Sequence, residues 1–129
     1  ATDAPVSDRN LKRLAKRSYL ALGSVGSFSS NGSGDYSIAF STYKKNRISY
    51  AGKNGVVQVD DVPNEYMSPL FLAVWEATEE AILNSLFMAE DMKGYHGRFV
   101  SALPIKQTLT ILRKYNALNH NKLPRAIQN

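Results

Sequence analysis

Hydrophobic residues recur along much of the chain every three to four positions, which is typical of helices with one apolar face. One such segment begins near Ser7 or Asp8, either of which can cap a helix, and ends at Gly23. The longest runs from Ser68 to Met92, and a third runs from Pro104 to about Tyr115. The pattern therefore predicts three helices, of which the second is long enough to lie across a sheet.

Between the first two helices the period changes to two, which predicts strands. From Ser37 to Tyr43, larger residues on one face alternate with Ser37, Ala39 and Ser41 on the other. The small residues indicate that another element packs closely against their face. Further strands are predicted at 47–50 and 56–62, with an Asn-Gly hairpin signal at 53–55, and residues 95–98 are predicted as a loop. These strands would form an antiparallel part, at one edge, of a larger sheet.

Composition narrows the class of protein. The 129 residues are 43% hydrophobic and 21% charged, as expected for one globular domain. We assign residues 1–115 to that domain and 116–129 to a polar, mobile tail. The absence of cysteine excludes disulfides, thiolate nucleophiles and cysteine-ligated metals, and leaves the compartment, periplasm or cytoplasm, open. No apolar run approaches the ~20 residues of a membrane helix, so we expect no membrane partner.

The net charge of +5 fits either an anionic partner or a subunit whose partner chain is more acidic. Four basic residues of the first predicted helix lie mostly off its apolar face, namely Lys12, Arg13, Lys16 and Arg17. A solvated helix face is the simpler interpretation. The alternative is a nucleic-acid-binding module that uses the helix from Arg9 to Arg17, although no exposed aromatic residues are interleaved with the basic ones.

The polar stretch before the predicted strand contains the candidate chemistry. Gly32 and Gly34 flank Ser33, and Asp35 follows, so a hydroxyl and a carboxylate two residues apart can face one small volume. A plain turn is the competing interpretation. A calcium loop is excluded because its first and twelfth positions would not be acidic. Since the two histidines of the chain are isolated from each other, we expect no metal site and no cofactor.

Three segments agree, in order and spacing, with the small chain of a known enzyme family. They are Ala1-Thr2-Asp3-Ala4-Pro5 with Leu11-Lys12-Arg13-Leu14-Ala15, then Asn31-Gly32-Ser33-Gly34-Asp35 with Ile38-Ala39-Phe40-Ser41-Thr42, and finally Ser68-Pro69-Leu70-Phe71 with the residues 76–84 and Met92-Lys93-Gly94. Together they resemble the L-aminopeptidase/D-esterase and β-peptidyl aminopeptidase family. The resemblance extends from Ala1 to about Tyr115.

The resemblance implies an α+β fold, the αββα sandwich of N-terminal-nucleophile hydrolases, to which this chain would contribute one part. Members cleave their own precursor into a larger and a smaller chain, and the new terminal serine of the smaller chain attacks peptides, amides or esters. This chain would be the smaller one. It would work without metal beside the larger α chain, as a tetramer or other oligomer of αβ units, and would bind no nucleic acid.

The resemblance also assigns roles to individual residues. The family's serine would lie about half a dozen residues before Ala1, so we expect further chain to precede Ala1. Ser33 matches a hydroxyl or acid that contacts the nucleophile, and Asp35 matches a carboxylate in the same network. We expect Asp35 to orient and polarise the nucleophile's amine while Ser33 relays or holds a proton. The alternatives are the nucleic-acid-binding module and a structural subunit without catalysis.

Overall fold

A computed structural model describes residues 1–48 and 55–118, which fall into two compact units, Ala1–Leu83 and Asn84–Asn129. The first unit holds helix α1 (Asp8–Ser24) and most of helix α2 (Ser68–Phe87). The second holds strands β1 (Met92–Lys93) and β2 (Phe99–Val100) and helix α3 (Ile105–Lys114). The described part of the chain is therefore helix-rich and carries one two-stranded sheet.

Helix α1 confirms the first predicted helix and its start, but differs in its cap bond and in its C-terminal end. Ser7 does occupy the cap position, yet its hydroxyl accepts no hydrogen bond from the helix amides and instead donates to Asp61. The helix also continues past Gly23 through Ser24. The chain turns away only at Gly26, whose φ of +100° is a backbone conformation that glycine adopts without strain.

The core of the first unit forms where α1 meets the chain that leads into α2. Val6, Leu14 and Met67 are buried there, and Met67 has no exposed surface. Six partly buried apolar residues surround them, namely Ala4, Leu11, Val62, Leu70, Phe71 and Val74. Burying a side chain of methionine size contributes about 1.5–3 kcal/mol, so this cluster fixes α1 against the start of α2.

A polar cluster closes one side of this core. The Asp61 carboxylate accepts hydrogen bonds from the amide and hydroxyl of Ser7, at 2.9 and 2.6 Å, and from the Asn10 amide at 2.7 Å. Asn10 is only 1% exposed and also donates to the Val62 carbonyl. Partial burial raises the pKa of Asp61, but the hydrogen bonds from Ser7, Asn10 and Val62 outweigh it and hold this pKa below its ordinary value.

The strand predicted from Ser37 to Tyr43 is wrong as an element. The structure shows one isolated parallel bridge between Thr2 and Ser41, in which the Thr2 amide donates to Phe40 and the Thr42 amide donates to Thr2. A strand needs a neighbour that continues the ladder, and Thr2 supplies a single step of it. The close packing predicted for the small-residue face is confirmed, because the Ser41 hydroxyl donates to the Ala4 carbonyl at 2.7 Å.

The other two predicted strands are also wrong where they are described. Neither Arg47 and Ile48 nor residues 56–62 form a strand, and the valines at 56, 57 and 59 are exposed. Strand preference depends on packing against neighbours, and no described element covers these valines. Residues 49–54, with most of the Asn-Gly signal, lie outside the described residues.

Helix α2 begins at the predicted Ser68 but ends at Phe87, five residues before the predicted Met92. Met92 instead pairs with Val100 in the antiparallel hairpin of β1 and β2. The buried stripe of α2 is also narrower than predicted. Four of the predicted residues are half-buried, namely Leu70, Phe71, Val74 and Ile82, whereas three are exposed, namely Ala77, Ala81 and Met88. The helix carries apolar residues around most of its circumference, so periodicity alone made the predicted buried stripe too broad.

In the second unit, residues 95–98 form the predicted connection, a short 3₁₀ turn from Tyr95 to Gly97. The hairpin that this turn closes was not predicted, because each of its strands is only two residues long. Helix α3 confirms the third predicted helix. Of the predicted tail, residues 119–129 lie outside the described part of the chain. Among the helices within 1–48 and 55–118, none is long and apolar enough to cross a membrane.

Candidate functional site

The structure brings the two predicted site residues together in the polar loop that follows α1. The Ser33 hydroxyl donates a 2.7 Å hydrogen bond to Oδ2 of Asp35. A turn presents the pair, since the Ser33 amide donates to the Ser30 carbonyl at 2.9 Å and Gly32 has a φ of +96°. Oδ1 of Asp35 receives no hydrogen bond from the described residues and is open to a further donor. The loop therefore presents one free carboxylate oxygen beside a bonded one.

Helix α1 holds this loop through two polar contacts. The Tyr19 phenol donates to the Asp35 backbone carbonyl at 3.1 Å. The second contact involves Ser18, the residue before Tyr19. The hydroxyls of Ser18 and Ser37 lie 3.1 Å apart, within hydrogen-bond distance. Reasoning from sequence missed both contacts, because nothing in the local pattern links a helix residue to a loop 16 to 19 residues further along the chain.

Two open cavities adjoin these contacts. The larger, of about 470 Å³, lies between α1, the segment from Gly34 to Ile38, and α2, and Asp35 and Tyr19 line it. The smaller, of about 150 Å³, is lined by Ala1 and Thr2 together with residues of α1, α2 and the segment from Ser37 to Phe40. Ser18 and Ser37 line both cavities. The space beside Ala1 and Thr2 and the space beside Asp35 thus share one wall.

The basic face of α1 is partly engaged within the first unit. The guanidinium groups of Arg13 and Arg17 lie 4.8 and 4.2 Å from the centre of the Phe71 ring, in cation–π geometry. Arg13 also donates to the side chains of Asn10 and Asn64, at 2.8 and 3.0 Å. Two of the four predicted basic residues therefore pack against α2 and its approach, and such packing disfavours a phosphate-binding role for them.

The family model described as Peptidase family S58 matches residues 1–100. Over 118 residues the chain is 43% identical to "Beta-peptidyl aminopeptidase BapA" of Sphingosinicella microcystinivorans, covering 92% of this chain and 29% of that protein. The chain thus spans less than a third of the length of this curated relative.

Two solved structures are similar to the chain. One is an L-aminopeptidase D-Ala-esterase/amidase from Ochrobactrum anthropi, described as a variant of the Ntn hydrolase fold (TM-score 0.78, 34% identity, 88% of this chain and 32% of that one). The other is a β-aminopeptidase from a Burkholderia species (TM-score 0.75, 34% identity, 88% and 33%). These likenesses confirm the resemblance seen in the sequence and support a place for the chain within an Ntn hydrolase fold. The match over residues 1–100 and the identity to the relatives show that the chain belongs to peptidase family S58.

Proposed function

We propose that this chain is the smaller chain of a self-cleaved serine aminopeptidase, which releases N-terminal L-, D- or β-amino acids from peptides, amides or esters through an acyl-enzyme. The names of the relatives support the class of reaction, since they denote aminopeptidases that act on β-peptides or have D-Ala-esterase/amidase activity. The nucleophile is a terminal serine upstream of Ala1. Asp35 and Ser33 form the polar network beside it.

The observation that carries this proposal is the parallel register between Thr2 and Ser41. Residues on paired parallel strands advance together at ~3.3 Å per residue. Ala1 is therefore level with Phe40, and an upstream segment that extended this pairing would come level with Gly34 about six residues before Ala1. That is the place where the family resemblance puts the serine, and Gly34 lies between Ser33 and Asp35.

The chemistry needs few groups. The terminal serine carries its own α-amine, whose pKa of ~8 in the free state allows it to accept a proton near neutral pH. As the serine oxygen bonds to the substrate carbonyl, its proton passes to this amine, and from there to the departing amine or alcohol. Water then attacks the resulting ester and gives a proton to the α-amine. The amine passes this proton to the serine oxygen as the carboxylic acid product leaves, which regenerates the serine. No metal or other cofactor takes part.

The role of Asp35 depends on the balance of its charge. A carboxylate close to the amine orients it but also favours its ammonium form, which cannot act as a base. The hydrogen bond from Ser33 to Oδ2 lowers the charge that Asp35 presents, and Oδ1 stays open for the amine. Ser33 can also hold or relay a proton, since a hydroxyl both donates and accepts.

The remaining parts of the site belong to the larger α chain of the same precursor in this proposal. That chain supplies the donors for the oxyanion and most substrate contacts, and the αβ units assemble further into a tetramer. The fraction of the relatives that this chain spans, 29% to 33%, leaves room for such a partner.

The test is the intact mass and the N-terminal sequence of every chain in the purified native protein, together with hydrolysis of a panel of L-, D- and β-aminoacyl amides. We expect a larger second chain and a smaller chain that begins with serine about six residues before Ala1. A protein without a terminal serine and without hydrolysis would overturn the proposal in favour of a structural subunit. Binding to nucleic acid that weakens steeply with salt would favour the basic module.

A further inference from the structure

The loop that presents Ser33 and Asp35 has little packing of its own. Both side chains are exposed, as is every residue from Gly26 to Tyr36. A Cβ atom built on Gly32 or Gly34 would have no atom within 4 Å other than those of the adjacent residues. Because glycine leaves the backbone free to rotate on both sides of Ser33, sterics alone do not fix the direction of the Asp35 carboxylate.

Ser33 bonds the Asp35 carboxylate, whereas the hydrogen bond from the Tyr19 phenol to the Asp35 carbonyl restrains the backbone of that residue. Tyr19 is 41% exposed, so more than half of its surface is covered. A tyrosine side chain has only two torsions and a rigid ring, so a tyrosine on a regular helix holds its hydroxyl in a well-defined position. The contact between Ser18 and Ser37 restrains the chain two residues further on and keeps the segment beside α1.

We propose that Tyr19 is a positioning residue for Asp35, and this inference rests on the proposed function. Its phenol donates to the Asp35 carbonyl and thereby sets the direction in which the carboxylate meets the amine of the terminal serine. It touches no reacting atom. An error of about 1 Å in such a group can slow a reaction by as much as ~100-fold.

The first test is Tyr19→Phe in the complete purified protein, with a β-aminoacyl amide as substrate. The substitution removes the hydroxyl and keeps the ring, so the fold and the thermal midpoint should not change. We expect kcat to fall roughly tenfold with KM within twofold of the wild-type value. Tyr66→Phe is the matched control, because Tyr66 is also an exposed tyrosine of the first unit and lies outside the proposed site. A wild-type kcat, or a fall shared by Tyr66→Phe, would overturn the inference.

The second test separates positioning from a general structural role. Asp35→Asn and the double variant Tyr19→Phe/Asp35→Asn are compared on an activated ester, which keeps weak activities measurable. If Tyr19 acts through Asp35, the double variant should be no more than about twofold slower than Asp35→Asn alone. Additive losses would refute the inference.

The same variants distinguish the two proposals from each other. Full activity in Asp35→Asn would overturn the roles assigned to the polar pair and, with them, the role of Tyr19. Loss of activity in Asp35→Asn beside full activity in Tyr19→Phe would overturn the role of Tyr19 alone and leave the proposed function supported.

Discussion

Ser33 and Asp35 are joined by a 2.7 Å hydrogen bond although both side chains are exposed. The two residues are only two positions apart on a turn, so little chain entropy opposes the contact. Hydrogen bonds to a charged acceptor are also stronger than those between neutral groups. The pair is therefore formed by the loop itself.

Asp35→Asn keeps the shape of the side chain but removes its charge. We expect kcat/KM for an aminoacyl amide to fall by about 100-fold or more, since in the proposed mechanism the amine loses the group that orients and polarises it. The thermal midpoint should stay unchanged because the residue is exposed. Glu80→Gln is the control, an exposed carboxylate of α2 that should lose no activity. Turnover by Asp35→Asn at the wild-type rate would show that the carboxylate has no part in the reaction.

Ser33→Ala removes the hydroxyl that donates a hydrogen bond to the Asp35 carboxylate, so the negative charge of Asp35 is no longer reduced by this bond. We expect a smaller loss of kcat, of about tenfold, as one hydrogen bond to a charged group is worth roughly 1.5–3 kcal/mol. The pH profile of kcat should also move to higher pH, because a carboxylate with undiminished charge holds the amine in its ammonium form. Ser30→Ala, in the same loop, serves as the control. An unshifted profile with unchanged kcat would contradict this role.

Asp61→Asn should destabilise the first unit and change how its stability depends on pH. The pKa of Asp61 is held below its ordinary value of 3.8 in the folded chain. The ionised carboxylate therefore stabilises the fold fully at pH values above the pKa that Asp61 has in the unfolded chain. This stabilisation is lost as the pH falls through the folded-state pKa. At pH 7 we expect the variant to lose about 1 kcal/mol of unfolding free energy, a value reduced by solvent exposure of the residue.

Urea unfolding of the purified native protein at pH 7 and at pH 3 measures this effect. The difference between the wild type and Asp61→Asn should shrink at pH 3, because this pH lies below the ordinary pKa of 3.8 and the carboxylate is then mostly protonated in the unfolded chain. Glu65→Gln, an exposed carboxylate nearby in sequence, should show no such difference. A constant difference at both pH values would mean that the charge of Asp61 is irrelevant.

Met67→Ala should cost about 2–5 kcal/mol of unfolding free energy, because Met67 is fully buried at the centre of the core cluster. Met88→Ala provides the comparison on the same residue type. Met88 is 80% exposed in this chain, so its loss should change stability by no more than ~0.5 kcal/mol. Equal effects of the two substitutions, measured by chemical unfolding, would show that the core is not where the structure has it.

Local patterns predicted the helices well, because helical hydrogen bonds join residues four apart and the apolar period is written in the sequence. They failed for the strands, since a strand requires neighbours. Within the described residues the segment around Ser41 finds only the single step at Thr2, and the segment 56–62 finds none. The side-chain cap bond of Ser7 failed for a related reason, because its hydroxyl is oriented by a hydrogen bond to Asp61, which lies 54 residues away in the sequence.

The same distinction holds for the candidate site. Ser33 and Asp35 are close in sequence, so their contact could be predicted from the turn between them. Tyr19 reaches Asp35 across 16 residues, and Arg17 stacks on Phe71 of another helix. Neither contact can be inferred from the local sequence pattern. The basic face of α1 looked like a solvated surface or a phosphate site, and part of it proved to be packing against an aromatic ring.

The backbone bridge between Thr2 and Ser41 also bears on what happens after the proposed self-cleavage. Breaking a peptide bond normally frees two ends to diffuse apart. Here the new end would stay tethered by the two hydrogen bonds that Thr2 makes to Phe40 and Thr42. Its amine and hydroxyl would keep a high effective concentration beside Asp35 without any covalent link on the other side. The bridge would thus allow the precursor to lose its continuity and still retain its catalytic geometry.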